Sequence, residues 1–281
     1  MTLKDQLITF IGPGAMASAM ASRLIEGGTQ TPDKVLMSGP IVEQLEKLEE
    51  RLGVSTTTNN LEAVKNAGVV VLSVKPQSIQ EVMDELHGAI PKDALVLSIV
   101  AGARLDTLVK GLNHKAIVRS MPNTPAQVGE GITVWTATED VTEEQKERAR
   151  LILKSFGEEV YADHEDYLDM ATALSGTGPA YVFLLMEAMV DAGVHLGFPR
   201  RISEQLVVQT FKGSVAFYEH SPVHLARLRN QVTSPGGTSA AALYYLEKAG
   251  VRTALSRAIW AAYERSVQLG KGKKHVQPED D

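Results

Sequence analysis

The run Ile8-Thr9-Phe10-Ile11-Gly12-Pro13-Gly14-Ala15-Met16-Ala17 lies near the start of the 281-residue chain and reads as a strand feeding directly into a helix. Its turn has the form G-x-G-x-x-A. Gly12 suits a tight strand-to-helix turn, Gly14 lets backbone come close to a pyrophosphate, and Ala17 is small enough for close helix–strand packing. The N-terminus of the helix that follows offers free N–H donors to an anion. A glycine fingerprint alone is weak, but this one follows a strand, opens a helix and precedes further strand–helix units. Ile11, Gly12, Pro13, Gly14, Ala15 and Met16 are therefore expected to contact a dinucleotide.

Outward from this loop, apolar runs at 7–11, 35–37, 69–72, 95–99 and 116–119 alternate with helical periodicity at 15–26, 41–52, 79–86 and 105–110. Val69-Val70-Val71-Leu72 is apolar without alternation, as in strands covered on both faces of a parallel sheet. The alternation predicts an α/β fold, an N-terminal Rossmann-type doubly wound sheet over residues 1–162. Past Tyr161 no strand is legible. Helical segments are punctuated by Gly-Thr-Gly-Pro, Gly-Phe-Pro and Ser-Pro-Gly-Gly, which predicts an all-α C-terminal domain over 163–270. Its longest helix, 181–196, carries Glu187, Asp191 and His195 on one face and is otherwise apolar. Such a half is expected to bury part of itself against a second copy, giving a dimer or higher oligomer. The tail, 271–281, is expected to be disordered.

Composition narrows the function. Net charge is −6 and no long basic stretch occurs, which argues against nucleic acid as a partner. The chain has no cysteine, so disulfides, thiolate metal sites and cysteine nucleophiles are out, and a cytoplasmic location is the plain expectation. No signal peptide is evident. The most apolar later stretch, 181–186, is far shorter than the roughly 20 residues that span a bilayer, so no membrane is expected either. No metal set is legible.

The end of the second strand, Leu36-Met37-Ser38-Gly39-Pro40, has no acid before Glu43. An NAD-type site usually carries one there. Ser38 could hydrogen-bond a 2′-phosphate, so NADPH is the expected cofactor, with NADH as the alternative. Val74-Lys75-Pro76-Gln77 and Arg119-Ser120-Met121-Pro122-Asn123-Thr124-Pro125 each follow a strand, on the side where doubly wound sheets bind ligands. Prolines flank Asn123-Thr124 and stiffen that loop as a wall for a nicotinamide ring. The segment Val232-Thr233-Ser234-Pro235-Gly236-Gly237-Thr238-Ser239 leads into a helix over 240–248, with Ser234 as a suitable N-cap. Two glycines there weaken a helix start, by up to about 1 kcal/mol each. They make sense if a ligand approaches the backbone, with the N–H groups of Gly237, Thr238 and Ser239 cradling a carboxylate.

With these segments, in this order and together with Leu174-Ser175-Gly176-Thr177-Gly178-Pro179-Ala180-Tyr181, the chain resembles the pyrroline-5-carboxylate reductases over nearly its whole length. The resemblance implies a Rossmann domain, a helical dimerisation domain and an active site shared between subunits. Such enzymes are commonly dimers that assemble further, often into decamers. It implies NAD(P)H-dependent reduction of 1-pyrroline-5-carboxylate to proline. Ser234, Gly237 and Thr238 would hold the substrate carboxylate, Ser239 would hydrogen-bond the ring nitrogen, and Glu165 would lie near the substrate. Asn60, Val74, Lys75, Pro76, Ala101 and Gly102 would contact the cofactor. Ser239 stands where the family usually has Thr, Thr177 where Ser is usual, and Leu225 and Asn230 replace a common Pro and Asp.

Of the seven histidines, His87, His114, His164, His220, His224 and His275 read as solvated, and His195 as structural. Two alternatives are a reductase for another cyclic imine acid or a β-hydroxyacid, and a non-catalytic nucleotide-binding paralogue. Val182 occupies the place where a β-hydroxyacid dehydrogenase would carry a catalytic lysine. The intact 234–239 loop argues against the paralogue.

Overall fold

Short apolar strands without alternation belong in the middle of a sheet covered on both faces. A computed structural model, which describes residues 3–221 and 223–271, has them there. Every residue of β1 (Ile8–Ile11), β4 (Val69–Leu72) and β5 (Leu95–Ser98) is buried. β2 (Val35–Ser38) and β6 (Ile117–Met121) flank them, and β3 (Ser55–Thr57), β7 (Gly131–Ala137) and β8 (Gly157–Tyr161) complete eight strands in the order β3-β2-β1-β4-β5-β6-β7-β8. All pairings are parallel except β6 with β7. The chain passes from β1 outward to β3 and then returns to the other side of β1 at β4. The switch point therefore lies between β1 and β4, where such sheets open a ligand crevice.

Six helices accompany these strands: α1 (Ala15–Glu26), α2 (Val42–Leu52), α3 (Asn60–Val64), α4 (Ile79–Leu86), α5 (Leu105–Leu112) and α6 (Glu143–Lys154). Two apolar clusters form the core. One centres on Phe10, Met20, Leu24, Trp135 and Phe156, the other on Val70, Leu72, Met83, Leu86 and Ile117. Thr142 caps α6 in a reciprocal box with Gln145. His114 departs from its expected solvated place. It is buried, and its Nε2 lies 2.8 Å from the Ala94 carbonyl. Burial pushes its pKa down, opposed by that hydrogen bond.

After β8, α7 (Tyr167–Ala171) continues through a π-helical turn, Thr172–Gly176, into α8 (Gly178–His195). Then follow α9 (Arg200–His220), α10 (Leu225–Gln231), α11 (Thr238–Lys248) and α12 (Val251–Gly270). The chain divides into two compact units, residues 1–177 with 261–281, and residues 178–260. The boundary expected at 162/163 falls inside the first unit. Ion pairs from Arg104 and Arg119 to Glu165 and Asp169 hold α7 to the sheet, and Ser266 on α12 joins them. The expected tail, save for Lys271, lies outside the described residues, as does His275.

The helical run Tyr167–His195 is long and apolar enough to cross a bilayer by length and composition, with mean hydropathy 1.3 over its most apolar stretch and 11% of that stretch buried. Reading 181–186 as an isolated apolar stretch missed this. The π turn Thr172–Gly176 and a bend at Thr177 stand where Gly-Thr-Gly-Pro suggests a break.

Candidate active site

The glycine loop is built by contacts that leave no room for side chains. Gly12 has φ +98°, and a Cβ there would stand 2.7 Å from Val74 Cγ1 and 2.8 Å from the Val74 nitrogen. Its N–H donates to the Ser38 carbonyl at 2.9 Å. The Ser73 hydroxyl lies 3.0 Å from the Ile11 carbonyl and 2.8 Å from that of Gly12, bonding β4 to the loop. Gly14 is the N-cap of α1 and no side chain caps it. A Cβ at Gly14 would meet only the Ser73 carbonyl, at 4.0 Å, so the space before the helix is open. The first N–H groups of α1 have no acceptor one turn earlier. This cradle fits a pyrophosphate.

On the β2 side, a Cβ at Gly39 would collide with the Pro13 ring, and Gln44 Nε2 donates to the Pro13 carbonyl. Ser38 differs from the expectation that its hydroxyl meets a phosphate. It is wholly buried and donates at 2.7 Å to Asn60 Oδ1, while Asn60 Nδ2 donates at 2.7 Å to Glu85. Ser38 thus orients Asn60, the more accessible of the two. No carboxylate ends β2, consistent with a 2′-phosphate. On the β4 side Val74 is half-buried, and Lys75 and Pro76 are exposed.

Asn123 also differs from expectation. Its side chain is buried and committed: Oδ1 accepts from the Ile132 N–H at 3.0 Å, and Nδ2 donates at 3.2 Å to the carbonyl of Ser175 in the π turn. It fixes the proline-flanked loop from behind rather than facing a ligand. The Thr177 hydroxyl closes the π turn onto the Thr172 carbonyl at 2.8 Å, a bond that the usual Ser could equally make.

Glu165 is not free to bind a ligand in this arrangement. Its Oε1 accepts from Arg119 and from the Leu105 N–H, each at 2.7 Å, and its Oε2 lies 3.3 Å from Arg104. Arg104 and Ser266 went unremarked in sequence, and the pairing of Arg119 with Glu165 and Asp169 was not foreseen. The available signal was an arginine inside an apolar strand and two acids one helical turn apart.

In the helical unit, α11 starts at Thr238, later than a Ser234 cap predicts but two residues before the helix expected over 240–248. Gly236 takes φ +71°, Gly237 donates to the Ser234 carbonyl at 3.1 Å, and Gly237 itself is the N-cap. A Cβ at Gly237 would stand 2.7 Å from the Ser234 hydroxyl oxygen. The N–H of Gly237 is therefore spent on the turn. The cradle shifts one residue on, to the N–H groups of Thr238, Ser239 and Ala240 in the first helical turn. Ser234 and Thr238 are exposed and Ser239 half-buried.

The family described as pyrroline-5-carboxylate reductase dimerisation matches residues 165–269, and that described as NADP oxidoreductase, coenzyme F420-dependent, matches residues 7–102. A pyrroline-5-carboxylate reductase of Synechocystis is 40% identical over 261 residues, 93% of this chain and 97% of the relative. The chain belongs to the pyrroline-5-carboxylate reductase family. The reductase of Coxiella burnetii superposes with a TM-score of 0.86 at 37% identity, covering 94% of this chain and 98% of that one. The Plasmodium falciparum pyrroline carboxylate reductase, whose structure has NADP bound, gives 0.87 at 32% identity over 95% and 99%. This family member is an oxidoreductase with a Rossmann-like sheet domain and a helical dimerisation domain, and it acts on a small molecule and self-associates.

Proposed function

We propose that this chain reduces 1-pyrroline-5-carboxylate to L-proline with NADPH. The observation that carries the reading is the 234–239 turn, which pairs a helix N-terminus with the hydroxyl of Ser239 two residues into the helix. A dinucleotide held on Gly12, Gly14 and the first N–H groups of α1 supplies the hydride for the imine carbon. The adenosine end lies towards Gly39 and Asn60, and Ile11, Pro13, Ala15, Met16, Val74, Lys75, Pro76, Ala101 and Gly102 line its course. Ser38 and Asn123 act from behind that surface.

The substrate carboxylate sits on the N–H groups of Thr238, Ser239 and Ala240, with the hydroxyls of Ser234 and Thr238 beside them and Gly237 leaving the approach clear. Ser239 then directs its hydroxyl to the ring nitrogen. A serine hydroxyl is a weak acid, so its main contribution is to orient an iminium that arrives protonated. Glu165 acts at the site through Arg119 and the Leu105 N–H. No step needs a metal.

The second copy covers the apolar faces of α8 and its neighbours, where Phe183 and Leu184 are 63% and 64% exposed in the single chain. The dimers assemble further, towards a decamer. Residues 163–270 supply dimerisation and substrate contacts. A cytoplasmic location, with neither membrane nor nucleic acid as partner, accompanies this reading.

The direct test follows NADPH or NADH oxidation with pyrroline-5-carboxylate and purified protein. Turnover with NADPH preferred is the expected result, and no turnover with either nucleotide overturns the proposal. In Ser239→Ala, turnover should fall about 10²-fold, the lower range for a positioned hydroxyl acting in proton transfer, with NADPH affinity unchanged. Full turnover would remove Ser239 from the chemistry.

A further inference from the structure

We propose that Arg104, Arg119, Glu165, Asp169 and Ser266 form a positioning device for the nicotinamide half of the dinucleotide, acting through the turn Ala101-Gly102 after β5. The inference rests on the nucleotide-dependent reductase reading above.

Arg119 is 3% exposed, in the middle of β6, and its guanidinium pairs with Glu165 at 2.7 Å and faces Asp169 at 3.6 Å. Asp169, also 3% exposed, accepts a 2.6 Å hydrogen bond from the Ser266 hydroxyl on α12 and lies 3.8 Å from Arg104. Arg104 closes the ring on Glu165 and on Asp166, at 3.3 and 3.0 Å. Taking such charges out of water gives little net stability compared with apolar packing of the same volume. What the cluster does supply is fixed geometry, and its bonds converge on one turn.

That turn is gripped from two directions. Glu165 holds the Leu105 N–H just after it. Gly102, at φ +76°, packs so closely on the end of α12 that a Cβ there would stand 3.1 Å from Leu269 Cβ and 3.2 Å from the Gly270 nitrogen. The end of α12 is itself tied down through Ser266. Ala101-Gly102 follows β5, on the β4–β5–β6 side of the switch point, whereas the adenosine side is β2–β3 and is held by the separate Ser38–Asn60–Glu85 chain. Loosening the cluster should therefore weaken the hold on the nicotinamide end alone.

The test uses the full chain with Ser266→Ala, Ser266→Thr or Asp169→Asn. NADPH is titrated by its fluorescence, adenosine 2′,5′-bisphosphate by calorimetry, and thermal midpoints are recorded alongside. Ser266→Ala should lower NADPH affinity about tenfold, the order expected from losing one hydrogen bond to a charged group. Affinity for adenosine 2′,5′-bisphosphate should stay within about twofold, and Ser266→Thr should restore NADPH binding. Asp169→Asn should show the same split more strongly. If it does not fold, Ser266→Ala, which keeps every charge, decides the matter. Equal weakening of both ligands, or unchanged NADPH affinity, overturns the proposal. Wild-type protein that binds both ligands but does not oxidise NADPH with pyrroline-5-carboxylate overturns the function reading and leaves the affinity split to be judged. Wild-type protein that binds neither overturns both.

Discussion

The sheet unit and the helical unit meet the need for a core in opposite ways. In the first, β1, β4 and β5 are buried at every position, and two apolar clusters lie on either side of them. In the second, only Val190, Ser203 and Val207 are buried among the described residues of 178–260. Large side chains on α8, α9 and α11, such as Phe183, Leu184, Phe217 and Tyr245, stand more than half exposed. A patch of that extent marks an interface. The difference teaches that one half of the chain carries its fold by itself, while the other completes its core through assembly.

The largest effect should come from attacking the half that depends on assembly. Phe183→Asp with Leu184→Asp puts two charges where two apolar side chains would each contribute about 1.5–3 kcal/mol on burial. Sedimentation equilibrium should then show monomers and turnover should vanish, while adenosine 2′,5′-bisphosphate still binds the sheet unit. A variant that remains oligomeric and active would break the comparison. Next, Gly12→Val tests the half with its own core. A β-branched residue at φ +98° against Val74 costs at least about 1–3 kcal/mol in backbone strain alone. NADPH affinity should fall about 100-fold or more once the clash adds to that strain, with the oligomer intact by the same sedimentation measurement.

The smallest effect concerns pH and the sheet unit alone. His114 has its folded pKa pushed below the ordinary value of about 6.5, mainly by burial. Below that pH the unfolded chain takes up a proton that the folded one resists, so stability falls as pH drops under about 6.5 and levels off beneath the folded value. Denaturant titrations between pH 5 and 7.5, a range set about that ordinary value, should show the slope. His114→Gln should flatten it. An unchanged slope would assign the acid sensitivity to other groups.

Much of this contrast was legible in the residues. Val69-Val70-Val71-Leu72 could only be a covered strand, and the glycine loop fixed the turn beside it. β3, β7 and β8 were not legible, and in β7 Thr133 and Thr136 interrupt the apolar run. Ser55-Thr56-Thr57 is polar and only three residues long, and Gly157-Glu158-Glu159-Val160-Tyr161 has an edge strand's charges. The start of α11 was misjudged because Ser234-Pro235 has the chemistry of a cap, whereas Gly236 first turns the chain through a left-handed residue. Ser38, Asn123 and Glu165 showed their residue types but not their engagements. Each partner lies 9 to 61 residues away in sequence, beyond the reach of local pattern. The seam for a second copy was visible only as apolar excess.

The glycine loop has one more consequence. Gly39 against Pro13, the Ser73 hydroxyl on two successive carbonyls, and Gly12 pressed against Val74 leave the loop little freedom before any ligand arrives. The conformational entropy of ordering it is lost during folding, at about 1–2 kcal/mol per residue, and not at the moment of binding. The bonded amide hydrogens of Gly12 and Gly14 should accordingly exchange slowly in the free protein and change little with nucleotide. Those of Ala15, Met16 and Ala17, which have no acceptor one turn earlier, should slow only when nucleotide binds.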